Sequence, residues 1–253
     1  MAKNPKITAS FFQKELQEYL DRFGIQTTDS DFARLKQYFT DSLENGDDLS
    51  VDVGNIAERW QDDVIETVIK SGDTVLDLGC GNGELMLKLF DQCHAHVQGV
   101  EIDSEHVVRC IEKGLPVYHG DIERTLANFH EKSFDYVILE ETLQTLNHPL
   151  EVLQKMLKIG EKCIVSFPNF AHWNVRLAFS LSGRMPITQS LPHKWYNTPN
   201  IHLCSINDFE DWMHSYGVSL VQFWALEKGQ VVLKKEGHNL TAEQAMYLIR
   251  ENQ

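Results

Sequence analysis

The chain has 253 residues, with 23 basic against 37 acidic side chains and a formal charge of -14. That length holds one sizeable α/β domain plus an appendage. The acidic balance repels a polyphosphate backbone, and neither Lys234-Lys235 nor the scattered arginines form an offsetting patch, so no nucleic-acid partner is expected.

Taken in order, Met1 to Lys6 has no apolar run behind it and no later run approaches membrane-spanning length, so no membrane partner and a cytoplasmic location are expected. Ser10-Phe11-Phe12-Gln13 reads as a capping box opening a helix with Phe12, Leu16, Tyr19, Leu20 and Phe23 at helical spacing. A second helix carries Phe32, Leu35, Phe39 and Leu43 and stops at Asn45-Gly46. The polar run from Asn45 to Ser50 reads as a linker, which splits residues 1–50, an N-terminal helical extension, from a main domain over 51–253. The two amphipathic helices fit a lid, a dimerisation element, a docking arm or a hairpin packed on the core, which leaves a homo-oligomer open.

The main domain opens with a helix carrying Ile56, Trp60, Val64 and Val68, closed by Ser71-Gly72-Asp73. Then comes the stretch on which the chemistry is centred, Val75-Leu76-Asp77-Leu78-Gly79-Cys80-Gly81-Asn82-Gly83-Glu84. A strand runs into glycines at alternate positions and then a helix with Leu85, Met86, Leu87 and Leu89, a unit that turns sharply and lies close against a ligand. A dinucleotide fingerprint beginning at Gly79 requires glycine at 84, where this chain has Glu84, and a carboxylate there repels a pyrophosphate seated at the helix N-terminus. S-adenosylmethionine (SAM) has no phosphate and carries a sulfonium and an ammonium against one carboxylate, so it suits Asp77 before the glycines.

The second strand, His96 to Glu101, ends in an acid placed to accept both ribose hydroxyls. Asp103, ahead of a helix with Val107, Val108 and Ile111, reads as an N-cap. After the short strand Pro116 to His119, Gly120-Asp121-Ile122 offers an acid for the adenine amino group with Ile122 on the ring; a turn aspartate is the alternative. The cysteines Cys80, Cys93, Cys110, Cys163 and Cys204 form no C-x-x-C pair and read as reduced thiols. Cys93-His94-Ala95-His96 lacks a second cluster at ligand spacing, so no metal is expected.

These residues resemble the class I SAM-dependent methyltransferases, whose glycine motif and two acids match Asp77, Gly79, Gly81, Gly83, Glu101 and Asp121. Phe134 to Leu139 and Lys162 to Phe167 add strands four and five, with a helix around Leu150, Leu153, Met156 and Leu157 between them. Val218 to Leu226 and Gln230 to Leu233 flank Glu227-Lys228-Gly229, a hairpin signal. The expected fold is therefore α/β and Rossmann-like: a mostly parallel seven-stranded sheet ending in an antiparallel hairpin, as in that superfamily.

Residues 168–205 form an insert dense in aromatic and histidine side chains. Phe167-Pro168-Asn169-Phe170-Ala171-His172-Trp173, Gly183-Arg184-Met185-Pro186, Trp195-Tyr196-Asn197-Thr198-Pro199-Asn200-Ile201-His202-Leu203-Cys204 and the tail Asn239 to Met246 are similar to the MetW family of methionine biosynthesis. The likeness runs from about Val53 to the C-terminus. It departs from the family in residues 1–50, in Ala171 and His193, where glycine and tyrosine are expected, and in Glu140-Glu141. The resemblance implies a SAM-binding, methyltransferase-like protein that acts with homoserine O-acyltransferase, by direct association. The second reading is an active methyltransferase on a small-molecule or protein acceptor; a dinucleotide-dependent enzyme is disfavoured by Glu84. Because SAM arrives activated, the protein must chiefly align the acceptor. The candidates for a base are Glu141, His172 and His202, set against a first-turn acid and two loop anchors. Trp195-Tyr196, between prolines, reads as surface or pocket, and Trp173 as core packing.

Overall fold

A computed structural model describes residues 59–188, 190–233 and 237–252. The two helices expected within 1–50, and the beginning of the helix that includes Ile56, lie outside these residues.

In chain order, α1 (Trp60–Val68) leads to β1 (Thr74–Leu78), α2 (Glu84–Asp91), β2 (His96–Glu101), α3 (Ser104–Glu112), β3 (Val117–His119) and a short α4 (Ile122–Thr125). After β4 (Phe134–Leu139) come α5 (Pro149–Ile159), β5 (Gly160–Pro168), α6 (Trp173–Ser182), α7 (Ile206–Ser215), β6 (Val218–Glu227), β7 (Gln230–Leu233), α8 (His238–Thr241) and β8 (Gln244–Glu251). The sheet order is β3-β2-β1-β4-β5-β8-β6-β7. Strands β1 to β5 pair in parallel, while β8 is antiparallel to both β5 and β6. The fold is thus the Rossmann-like α/β fold expected, with eight strands where seven were predicted.

The hairpin signal holds: Lys228 and Gly229, both with positive φ, form the tight turn between β6 and β7. The added strand is β8, which slots into the sheet's interior. Ala245, Met246, Tyr247, Leu248 and Ile249 are all buried, so the segment is apolar on both faces and shows no alternation in the sequence.

Alternation along β1 and β4 divides the core into two layers. Leu76, Leu78, Val137 and Leu139 pack with α5 and α7 through Val152, Met156 and Phe209. Val75, Tyr136 and Ile138 pack on the other face with Trp60 and Ile65 of α1 and Leu85 and Leu89 of α2. In the first layer Phe167 is fully buried, stacked on Tyr247 with ring centroids 5.9 Å apart and 5.0 Å from the Phe209 ring. Phe167→Ala is expected to cost about 3–5 kcal/mol in urea unfolding, because the cavity lies between two aromatic neighbours that cannot collapse into it.

The strand order reverses between β2 and β4 around β1, leaving a crevice beyond the carboxyl ends of β1 and β4. Asp77 lies beside that crevice at the end of β1.

Candidate cofactor pocket

The chain leaves β1 through Gly79-Cys80-Gly81-Asn82-Gly83 and enters α2 at Glu84. Backbone N–H groups of Gly79 and Cys80 donate to Val100 O at 2.8 and 3.2 Å, tying the turn to β2. Two of its glycines serve different ends. Gly83 has φ +73°, and a Cβ there would stand 2.7 Å from Leu115 Cδ1 and 2.9 Å from Cys110 Sγ. Gly81 has φ +53°, and a Cβ there would meet nothing within 4 Å, so its outer side is open space. Gly83→Ala should therefore cost roughly 2–4 kcal/mol in thermal unfolding, from backbone strain plus overpacking, while Gly81→Ala costs roughly 1–2 kcal/mol from strain alone. If Gly81→Ala also spares ligand binding, the open side of the turn is not where the ligand lies.

Glu101, buried at the end of β2, is held by three backbone donors: Gly81 N to Oε2 at 2.8 Å, and Ile102 N and Asp103 N to Oε1 at 2.7 and 2.8 Å. Its carboxylate thus fixes the glycine turn, with its remaining acceptor capacity on Oε2 beside Gly81. Asp103 caps α3, accepting from Glu105 N at 2.8 Å and His106 N at 3.3 Å, as its sequence position indicated. Gly120 N donates to Glu101 O at 2.8 Å, which brings Asp121 to the same edge of the sheet. There Asp121 Oδ1 caps α4 through Glu123 N at 2.7 Å.

Three further residues stand near Asp77; sequence reasoning passed over Arg59 and Asp62 and noted Glu140 only within the pair Glu140-Glu141. Arg59 reaches Asp62 Oδ2 through Nε at 2.9 Å and Asp62 Oδ1 through Nη2 at 3.2 Å, while its Nη1 pairs with Glu84 Oε2. Asp62 is fully buried. Glu140 follows β4; no hydrogen bond engages its carboxylate among the described residues. Alternation explains its direction: Tyr136 and Ile138 face the α1–α2 layer, so residue 140 continues toward the side of Asp77, which itself follows Val75. That parity in Phe134–Leu139 was the signal available in the sequence.

The electrostatics follow from this crowding. Burial, reinforced by the charges of Asp62 and Glu101 and opposed by Arg59, pushes the Asp77 carboxyl up to about 7. Burial, with Asp62 and Asp77 nearby and Arg59 opposing, pushes Glu140 to about 8. One guanidinium therefore faces several desolvated carboxyls.

The three base candidates are differently placed. Glu141 adopts φ +46°, uncommon without glycine, with its N–H donating to Ser166 O and Oγ at 3.2 and 3.0 Å. Its Oε1 accepts from Gln61 Nε2 at 3.1 Å and Gln244 Nε2 at 2.6 Å, so this carboxylate links α1 to β8. His172 is buried as the N-cap of α6, accepting from Asn174 N at 3.4 Å through Nδ1; burial lowers it to about 4, so it is neutral at neutral pH. The His202 side chain is exposed, while its N–H and that of Ile201 donate to Gln144 O at 3.0 and 2.9 Å. Gln144 Nε2 in turn donates to Glu141 O at 2.6 Å, so the insert is joined to the loop after β4.

Within the insert lies a mostly apolar cavity of about 510 Å³, lined among others by Phe170, Val175, Phe179, Met185, Leu191 and Trp195. Trp195 and Tyr196 are 74% and 62% exposed and pack edge to face, the surface or pocket placement expected of them. Among the described residues no three His, Cys, Asp or Glu side chains stand together to hold a metal ion, and no helix is long and apolar enough to cross a membrane.

The family described as methionine biosynthesis protein MetW matches residues 59–249. The chain belongs to the MetW family. A relative of this MetW chain is the bifunctional methionine biosynthesis protein MetXA/MetW of Rhodopirellula baltica, 33% identical over 210 residues, covering 78% of this chain and 34% of that protein. The MetW chain thus spans about a third of that relative's length. A SAM-dependent methyltransferase from Thermotoga maritima, described as a possible histamine N-methyltransferase, superposes with a TM-score of 0.57 at 14% identity, covering 87% of the MetW chain and 99% of its own. One from Archaeoglobus fulgidus gives 0.53 at 15% identity, covering 76% and 94%. At these identities the structures show the fold alone.

Proposed function

We propose that this MetW chain binds SAM beyond the carboxyl ends of β1 and β4 and acts with homoserine O-acyltransferase in methionine biosynthesis. The observation that carries the cofactor is the desolvated pair Asp77 and Glu140, close enough for Asp77 to raise Glu140 and to share Asp62 and Arg59 as neighbours, whose ionised forms a sulfonium and an ammonium would favour. In this reading Asp77 and Glu140 face the methionine moiety, Glu101 holds the ribose, and Asp121 and Ile122 meet the adenine. Gly79, Gly81 and Gly83 allow the backbone to approach the ligand. A dinucleotide fits poorly, since these acids and Glu84 repel a pyrophosphate.

The partner is supported by the family and by the Rhodopirellula relative, whose name joins MetXA and MetW in a single protein. Two activities joined in one polypeptide are held at high effective concentration, an arrangement that suits components that work side by side. The test is the rate of the same organism's homoserine O-acyltransferase with and without this protein, each with and without SAM. Stimulation supports the partner reading, and its dependence on SAM identifies the signal. An unchanged rate in all four conditions would contradict it.

A second reading, methyl transfer, is favoured by Glu140, whose carboxyl burial raises to about 8: once ionised, as the cation of bound SAM would favour, it could take a proton from an acceptor as it attacks the methyl carbon. Glu141 and His202 would then shape the acceptor side through the Gln144 link, and His172 would position α6. Transfer of label from methyl-labelled SAM into a cell extract tests it. Residues 1–50 are taken as a separate helical extension. A chain beginning at residue 51 is expected to retain cooperative thermal unfolding, and its loss would assign the extension to the core.

A further inference from the structure

We infer that the insert 168–205 is the surface on which an acidic protein partner docks, with Trp195 and Tyr196 at its centre and the apolar cavity beside them taking one apolar side chain of that partner. This rests on the partner reading above, and the occupant it commits to is homoserine O-acyltransferase. The charge distribution carries the argument. From Lys162 to Asn207 the chain has no aspartate or glutamate, although it has 37 elsewhere, while Lys162, Arg176, Arg184 and Lys194 fall within the stretch. A chain of formal charge -14 repels an acidic partner over most of its surface, and the insert is a face where it does not. Three cations within the insert are too few to hold a polyphosphate backbone, so the complement is a protein.

The apolar groups lie where such a partner needs them. Trp195 and Tyr196 stand on a turn closed by Lys194 N to Asn197 Oδ1 at 2.9 Å and Asn197 N to Lys194 O at 3.1 Å, and Lys194 Nζ lies 5.8 Å from the centre of the Tyr196 ring. Large aromatic side chains left in water add little to the fold, and they are the groups that dominate binding at protein interfaces. Phe179, Met185 and Leu203 are exposed and, with Trp195, also wall the cavity, so patch and cavity form one continuous apolar surface. The surface is held in shape from beneath. Leu191 is buried and exchanges backbone hydrogen bonds with Thr188 at 3.1 and 3.2 Å, and the N–H groups of Ile201 and His202 donate to Gln144 O. That preorganisation lowers the ordering cost of association. Through Gln144 the docking face is also joined to Glu141, on the loop after β4.

The test titrates the same organism's purified homoserine O-acyltransferase with the full chain by calorimetry, at low and at high salt. Wild type should bind, and more weakly as salt rises. Trp195→Ala should weaken binding about 30-fold or more, the loss of a central aromatic anchor. Arg184→Glu combined with Lys194→Glu should weaken it about 10-fold or more at low salt, and by less at high salt. Ile111→Ser, at another exposed apolar position but on α3, should bind as wild type. All four substituted side chains are exposed, so each variant should keep the wild-type Tm, which checks folding. If Trp195→Ala and the charge-reversed protein both bind as wild type, the surface is wrong and the partner reading stands. Charge reversal that leaves the affinity unchanged or raises it overturns the acidic complement. A wild type that dimerises in sedimentation through Trp195 and ignores the acyltransferase assigns the surface to a second copy and overturns the inference. A wild type that binds nothing overturns the partner reading and this inference with it.

Discussion

Replacing Glu101 by alanine is expected to weaken SAM binding by about 100-fold or more and to lower stability by roughly 2–4 kcal/mol. The carboxylate serves two ends of the site at once. It is the acceptor proposed for the ribose, and it holds the N–H groups of Gly81, Ile102 and Asp103. Truncation removes the ribose contact and leaves those donors to find water in a site only 7% exposed. The glycine turn loses its tie to β2 at Gly81, so the backbone that should lie against the ligand is also released. Glu101→Gln keeps an acceptor oxygen but turns the other arm into a donor, so it should fall between wild type and alanine. Calorimetric titration measures the affinity and urea unfolding the stability. An alanine variant that unfolds at lower urea yet binds SAM as wild type would confine Glu101 to the architecture and remove it from the ribose.

The second large effect is in pH. Asp77 and Glu140 have folded-state values of about 7 and about 8, well above the ordinary 3.8 and 4.5. The folded protein therefore binds more protons than the unfolded chain between about pH 4 and 8, and stability falls as pH rises through that window. For Asp77 the loss is roughly 4 kcal/mol when complete. The ligand reverses the sign: a sulfonium and an ammonium favour the ionised carboxyls, so SAM should bind more tightly as pH rises from about 6 to 9. The unliganded protein should thus melt lower at pH 8.5 than at pH 6, while the increase in Tm given by saturating SAM should be larger at pH 8.5. Asp77→Asn and Glu140→Gln should each raise the unliganded Tm at high pH and weaken SAM. A Tm increment independent of pH would show that these carboxyls do not face the bound cation.

Much of this site could be read before any coordinates, because its parts are local. Gly79 to Gly83, Glu101 and Asp103 each follow directly from a strand end or precede a helix start, so sequence order places them. Glu140 needed one further step, the two-residue alternation through β4 that sets residue 140 rather than Glu141 beside Asp77. Arg59 and Asp62 were not legible in the same way. They enter the pocket only because α1 packs on the β1–β4 face, a tertiary contact with no local signature. The strand β8 was missed for another reason: its run from Ala245 to Ile249 is buried on both faces, and a continuous apolar run carries no period to distinguish strand from helix. His172 and His202 drew notice by residue type alone. The structure uses the first as a helix cap and the second through its backbone, roles that side-chain chemistry does not announce.

The most direct test of the account is a side-by-side calorimetric titration of the full chain with SAM and with NAD at pH 8, above the value of about 7 to which burial raises Asp77. The account predicts saturable, one-to-one binding of SAM and none of NAD. Binding of NAD, or no binding of SAM, would contradict it.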